Sequence, residues 1–212
     1  MRKILLIITL FAISVVILDF IVKDGQWLEY YFDNTPKAAV PSSREQIDIY
    51  KWWVDQHPKG LVVVDVGCGT GSVVNAIGKT NNNNVEVCGF DIDKSCIKKA
   101  RLLYPSYKFW VADMIDFQPI SDNRPICYII YEPLWQYSHS SAYDLYKKFF
   151  TRIILHDGNV SVVYVSGSRP FYPKTHLFDT SYLKDIGFLQ VYSKNIGSLL
   201  ARRSCKIFTY NR

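Results

Sequence analysis

LVVVDVGCGTGSVVNAIG, residues 61 to 78, holds the densest run of structural signals in this 212-residue chain. Leu61 to Val64 are four apolar residues, three of them β-branched, as a strand buried on both faces requires. Asp65 follows near the strand's end. A glycine loop, Gly67-Cys68-Gly69-Thr70-Gly71, then leads into Val73 to Ile77, an apolar run that can open a helix. A strand, a glycine loop and a helix in that order bring backbone N–H groups to the mouth of a parallel sheet, a place that suits a nucleotide-like ligand. The dinucleotide fingerprint G-x-G-x-x-G would need glycine at position 72, where Ser72 stands. The alternative is a Gly-rich turn in some other α/β domain.

Two more strands end in acids at useful distances. Val85 to Asp93 reads as a second strand, with Asp91 placed 20 residues past Gly71. A carboxylate at that point can accept hydrogen bonds from both ribose hydroxyls of a nucleotide. Asp93 has the position of an N-cap for a helix over Lys94 to Leu103. Phe109 to Met114 reads as a third strand ending in Asp113. An ordinary strand-end acid is the alternative for Asp113, and its register with the other two signals weighs against it.

The acid-x-Gly-x-Gly-x-Gly spacing of Asp65, Gly67, Gly69 and Gly71 resembles motif I of the class I S-adenosylmethionine (SAM) methyltransferases. The resemblance extends from about Ser42 to the end of the chain. It implies an α/β, Rossmann-like fold: a mostly parallel seven-stranded sheet, helices on both faces, and a C-terminal antiparallel hairpin. It implies SAM as methyl donor. Gly67, Cys68, Gly69 and Gly71 would then let the backbone approach the methionine part and ribose. Asp65 would help hold the amino group, Asp91 with the adjoining Ile92 would meet the ribose, and Asp113 with Met114 would meet adenine.

A fourth strand, Ile126 to Tyr131, runs into Glu132-Pro133-Leu134-Trp135. In that family this strand end lies beside the transferred methyl. Enzymes that methylate exposed amines often carry Asn or Asp, Pro-Pro and an aromatic residue there. Pro133 and Trp135 match; Glu132 and Leu134 depart. An amine must present its lone pair, so its N–H bonds need acceptors, and Glu132 is a candidate acceptor or base. Tyr131, Trp135 and Tyr137 are candidates to flank a cationic amine. Glu132 as a bordering acid with packed aromatics is the competing account. His139 is placed in the same loop, as a base or a surface histidine.

Composition adds bounds. The formal net charge of +6 is too small to mark a nucleic-acid binder by itself, and none is expected as a partner. The C-terminal Arg202, Arg203, Lys206 and Arg212 read as a solvated strand pair, or as a surface for acidic headgroups or an acidic substrate. Cys68, Cys88, Cys96, Cys127 and Cys205 are scattered, with no C-x-x-C and no Cys/His cluster. They read as reduced, strand-borne thiols, and no metal is expected.

Ile4 to Val22 is a 19-residue, nearly all-apolar run. As a helix it spans about 28 Å, close to the hydrocarbon thickness of a bilayer. It reads as an uncleaved single-pass anchor, with a buried core helix as the alternative. Residues 1–24 are therefore assigned to the anchor, 25–41 to a juxtamembrane linker and 42–212 to the methyltransferase domain. Arg2 and Lys3 favour a cytoplasmic N-terminus, which would send the domain away from cytosolic SAM. Lys23 and Lys37 weaken that bias. The SAM requirement places the domain in a SAM-containing compartment, cytosol or organelle interior. An anchor, a Val-Pro-initiated helix, motif I and then Arg169-Pro170-Phe171-Tyr172-Pro173 also resemble the small membrane-anchored mitochondrial lysine methyltransferases. The expected function is SAM-dependent methylation of an amine, a protein lysine first. A small-molecule or lipid acceptor, or an inactive SAM-binding interaction module, stands as the alternative.

Overall fold

The structure is a computed structural model. It describes residues 8–9, 11–18, 44–57, 60–79, 85–118, 124–131, 139–156, 159–167, 180–196 and 203–210. From position 44 the elements run α1 (Arg44–Asp55), β1 (Val62–Val66), α2 (Ser72–Gly78), β2 (Glu86–Asp91), α3 (Lys94–Leu103) and β3 (Lys108–Val111). They continue with β4 (Ile126–Tyr131), α4 (His139–His156), β5 (Val160–Gly167), α5 (Ser181–Asp185), β6 (Leu189–Ile196) and β7 (Arg203–Tyr210).

The strands form one seven-stranded sheet in the order β3-β2-β1-β4-β5-β7-β6. The first five are parallel; β7 runs antiparallel to both β5 and β6. All five residues of β1 are buried, and so are the first five of β4. A strand covered on both faces has no solvent side, so its sequence loses the apolar–polar alternation. The period of two persists in which core each residue enters. Val62, Val64 and Val66 pack with Tyr146, Phe149, Phe150 and Ile153 of α4. Leu61 and Val63 pack with Ile49, Tyr50 and Trp53 of α1, Ile77 of α2 and Ile97 of α3. The Trp53 indole N–H donates to Ser161 Oγ at 3.3 Å, which satisfies two buried polar groups and ties α1 to β5.

After β1, the chain lays β2 and β3 on one side, then returns to set β4 on the other. This reversal opens a crevice at the C-terminal ends of β1 and β4. Asp93 caps α3 as expected, its carboxylate accepting from the Ser95 N–H at 2.7 Å and the Cys96 N–H at 3.3 Å. All five cysteines are free and buried.

Three expectations need correction. His139 is the first residue of α4, not part of the preceding loop. The third strand ends at Val111, so Asp113 lies two residues beyond it. Arg203 is not a solvated strand residue: it is 5% exposed. Its guanidinium donates to Gln46 Oε1 at 3.3 Å and lies 6.0 Å from the Tyr131 ring centroid, because its position on β7 brings it under α1.

Among the described residues no helix is long and apolar enough to cross a membrane. Of the 4–22 run, residues 8–9 and 11–18 are described, and they are helical. Ile8, Phe11, Ile13, Val15, Ile17 and Leu18 all expose their side chains. The rest of that run, the 25–41 linker and Ser42 lie outside the described residues.

Candidate active site

Gly67, Gly69 and Gly71 all take positive φ, at 71°, 53° and 84°. The loop is held from below: the Gly67 and Cys68 N–H groups donate to the Phe90 carbonyl at 2.9 and 3.0 Å. It is held from the side by Asp91, whose Oδ2 accepts the Gly69 N–H at 2.9 Å. Oδ1 of the same carboxylate accepts the Asp93 N–H at 2.9 Å. One side chain thus fixes both the glycine loop and the turn into α3. An ionised carboxylate has about four acceptor positions, so Asp91 keeps capacity for a ligand's hydroxyls.

Gly71 has a reason beyond ligand approach. A Cβ built there would lie 2.7 Å from Phe109 Cζ, 2.8 Å from Phe109 Cε1 and 3.2 Å from Tyr104 Cδ2. The space that a side chain would take is already occupied by the rings that seat α2 against β3. Gly71→Ala combines left-handed strain with overpacking against a buried ring, and should cost about 3 kcal/mol of stability. Urea unfolding monitored by circular dichroism measures it; an unchanged midpoint would remove the packing explanation.

Asp65 is 5% exposed at the end of β1. Burial, and then the charge of Asp91, push its carboxyl up to about 7. The pairing of β1 with β2 sets Asp65 opposite Gly89, two residues before Asp91, so the two acids stand at adjacent strand ends, and a cation brought there would offset the cost of ionising Asp65. Ile92, next along the chain, is 55% exposed and offers an apolar surface beside Asp91. Asp113 Oδ1 accepts the Ile115 N–H at 2.9 Å, capping its own turn. Arg152 of α4 donates to the Ile115 carbonyl and clamps that turn from the far side. Met114 faces the core with Phe90 and Phe117. Burial, with lesser contributions from Asp65 and Asp91, drives the Cys68 thiol far above its ordinary range, so it is no nucleophile.

Tyr131 ends β4 at the same rim, and Arg203 already supplies a cation to its ring. Glu132, Pro133, Trp135 and Tyr137 lie outside the described residues. Beneath the rim sits a polar group that the sequence did not single out. Gln46 Nε2 donates to the Tyr50 hydroxyl while Gln46 Oε1 accepts from Arg203. Gln46 and Tyr50 are fully buried on α1, and burial, followed by nearby Cys205, raises the Tyr50 phenol well above its ordinary value. The available signal was the i, i+4 spacing of Gln46 and Tyr50, which puts both on the packed face of a helix. Among the described residues no group of three or more His, Cys, Asp or Glu could hold a metal ion.

Residues 57–124 match a family described as a methyltransferase domain. No curated protein matches the chain. Among solved structures, the magnesium protoporphyrin IX methyltransferase of Synechocystis PCC 6803 with bound SAM superposes with a TM-score of 0.63 at 16% identity, covering 93% of this chain and 96% of that one. The N-methyltransferase NodS of Bradyrhizobium japonicum WM9, in complex with S-adenosyl-L-homocysteine, gives 0.62 at 11% identity over 91% and 95%. A Pyrococcus horikoshii OT3 protein, PH0226, gives 0.55 at 15% identity over 84% and 93%. At these identities the likeness concerns the fold.

Proposed function

From a methyltransferase-domain match over residues 57–124 and a fold shared with SAM-bound methyltransferases, we propose a membrane-anchored, SAM-dependent enzyme that methylates an amine nitrogen, with a protein lysine as the leading acceptor. The observation that carries the site is the acid pair. Asp65 and Asp91 flank a left-handed glycine loop, and Asp65 is driven to about 7 by burial and by the charge of Asp91. Such a site favours a cationic ligand. SAM carries an ammonium and a sulfonium, so the residues fit it, and when bound it supplies an activated methyl group. Asp65 orients the amino end. The free acceptor positions of Asp91 receive the ribose hydroxyls. The exposed Ile92 and the turn at Asp113 border the base.

The amine reading rests on the segment after β4. Tyr131 stands at the rim, and Glu132, Pro133 and Trp135 are the next residues able to meet an acceptor. Methyl transfer needs chiefly proximity and alignment. Glu132 holds an acceptor's N–H, or takes its proton, so that the lone pair faces the methyl. Glu132→Gln should lower kcat about 100-fold while leaving SAM affinity within twofold. The assay is transfer of labelled methyl from SAM into membrane proteins. Unchanged turnover would remove Glu132 from the chemistry.

The membrane reading rests on the helical, exposed apolar side chains between Ile8 and Leu18. Exposed side chains of that kind are stable in lipid and costly in water. The domain then faces a compartment that holds SAM.

A further inference from the structure

We propose that the outer face of α3 is a second membrane contact, a basic surface that lays the domain on anionic lipid headgroups with its cleft at the bilayer. This rests on the membrane reading above and adds a surface that the sequence placed elsewhere. The C-terminal basic cluster was the sequence's candidate for acidic headgroups, and Arg203 within it is buried. A run of exposed positive charge lies on α3. Lys94, Lys98 and Lys99 are exposed, Arg101 is held on the Phe109 carbonyl, and the helix contains no acidic residue beyond its cap, Asp93. At 100° per residue, Cys96, Ile97 and Ala100 face the core, and Lys98 and Leu102 lie on the opposite side. Leu102, on that outer side, is 73% exposed.

An exposed leucine beside lysines fits a lipid surface better than an acidic protein or nucleic acid. The lysines meet headgroup phosphates and carboxylates, while Leu102 enters the headgroup–acyl boundary. Reach makes a second contact useful. Residues 25–43 separate the anchor from α1, and 19 residues can extend to roughly 65 Å. A domain of this size is only about 40 Å across, so an anchor alone leaves its orientation open. Docking on α3 removes that freedom. The N-terminal end of the helix adjoins Asp91, so a bilayer lying along α3 passes beside the SAM site. Acceptors at headgroup height then come within range of the cleft.

The native cysteines are all buried, so a cysteine placed at Leu102 can be labelled selectively with a polarity-sensitive fluorophore. The full-length Leu102→Cys protein is reconstituted into nanodiscs of phosphatidylcholine alone, or with about 30% phosphatidylserine. The expected result is a blue-shifted emission only in the anionic discs, reversed by high salt. Lys98→Glu with Lys99→Glu should reduce the docked fraction more than tenfold with SAM affinity unchanged. Equal emission in both discs, or indifference to the double substitution, would overturn the proposal. Extraction by alkaline carbonate from neutral membranes tests the anchor separately. If the chain is extracted, the anchor fails, and flotation with anionic against neutral vesicles still decides the α3 surface.

Discussion

Asp91→Ala should weaken SAM binding by about a thousandfold while the protein stays folded. Two losses combine. The carboxylate would meet the ribose hydroxyls, and hydrogen bonds to a charged group contribute about 1.5–3 kcal/mol each. It also holds the site's shape, since Oδ2 accepts from the Gly69 N–H and Oδ1 from the Asp93 N–H. Alanine frees the glycine loop and the turn into α3 together, so the remaining ligand contacts must also bear the cost of reordering them. Asp91→Asn separates the two effects. The amide keeps one acceptor oxygen and the shape of the side chain, so its loss should be nearer thirtyfold. Calorimetric titration with SAM, beside circular dichroism of each variant, makes the comparison. If Asp91→Ala binds SAM within threefold of the parent, the ribose does not sit at the end of β2 and the site must be sought elsewhere on the rim.

How much of this was legible in the sequence depends on the range of the physics involved. The strands of β1 and β4 declare themselves locally, because a doubly covered strand is apolar at nearly every position. The Asp93 cap is also local, since its partners are two and three residues away. The three glycines were legible as a loop, but not the full reason for Gly71. Phe109 and Tyr104, which fill the space above it, lie more than 30 residues away on α3's end and β3. The burial of Arg203 was out of reach for the same reason: its partner Gln46 is 157 positions distant. A charged residue near a chain end is usually solvated, and only the pairing of β7 with β5 carries this one beneath α1. The raised carboxyl of Asp65 requires knowing that β1 and β2 are neighbours, which topology supplies and composition does not. The segment after β4, which carries the amine reading, still rests on its residue types.

Asp65 should couple proton uptake both to folding and to SAM binding. In the unfolded chain its carboxyl has the ordinary value near 3.8; in the fold, burial and then Asp91 raise it to about 7. Between those values the native state holds a proton that the unfolded state has released. Stability of the ligand-free protein therefore falls as pH rises from about 4 to about 7, by as much as about 4 kcal/mol, and levels off above. Asp65→Asn should abolish this slope and leave the ligand-free protein more stable than the parent at pH 8. SAM reverses the preference. Its ammonium favours the ionised carboxylate, so affinity should rise about tenfold per pH unit below 7 and flatten beyond it. Binding at pH 6 should then release close to one proton, which titrations in two buffers of different ionisation enthalpy detect as different apparent heats. The Asn variant should bind SAM more weakly at pH 8, with no proton released at pH 6. A parent affinity that stays flat from pH 5.5 to 8 would mean that Asp65 does not meet the ammonium. The destabilisation built into the empty site would then serve no ligand of that charge. If the rise is observed, the same buried acid accounts for both a cost in the empty fold and a gain on binding, because the cation that SAM brings replaces the proton that burial had required.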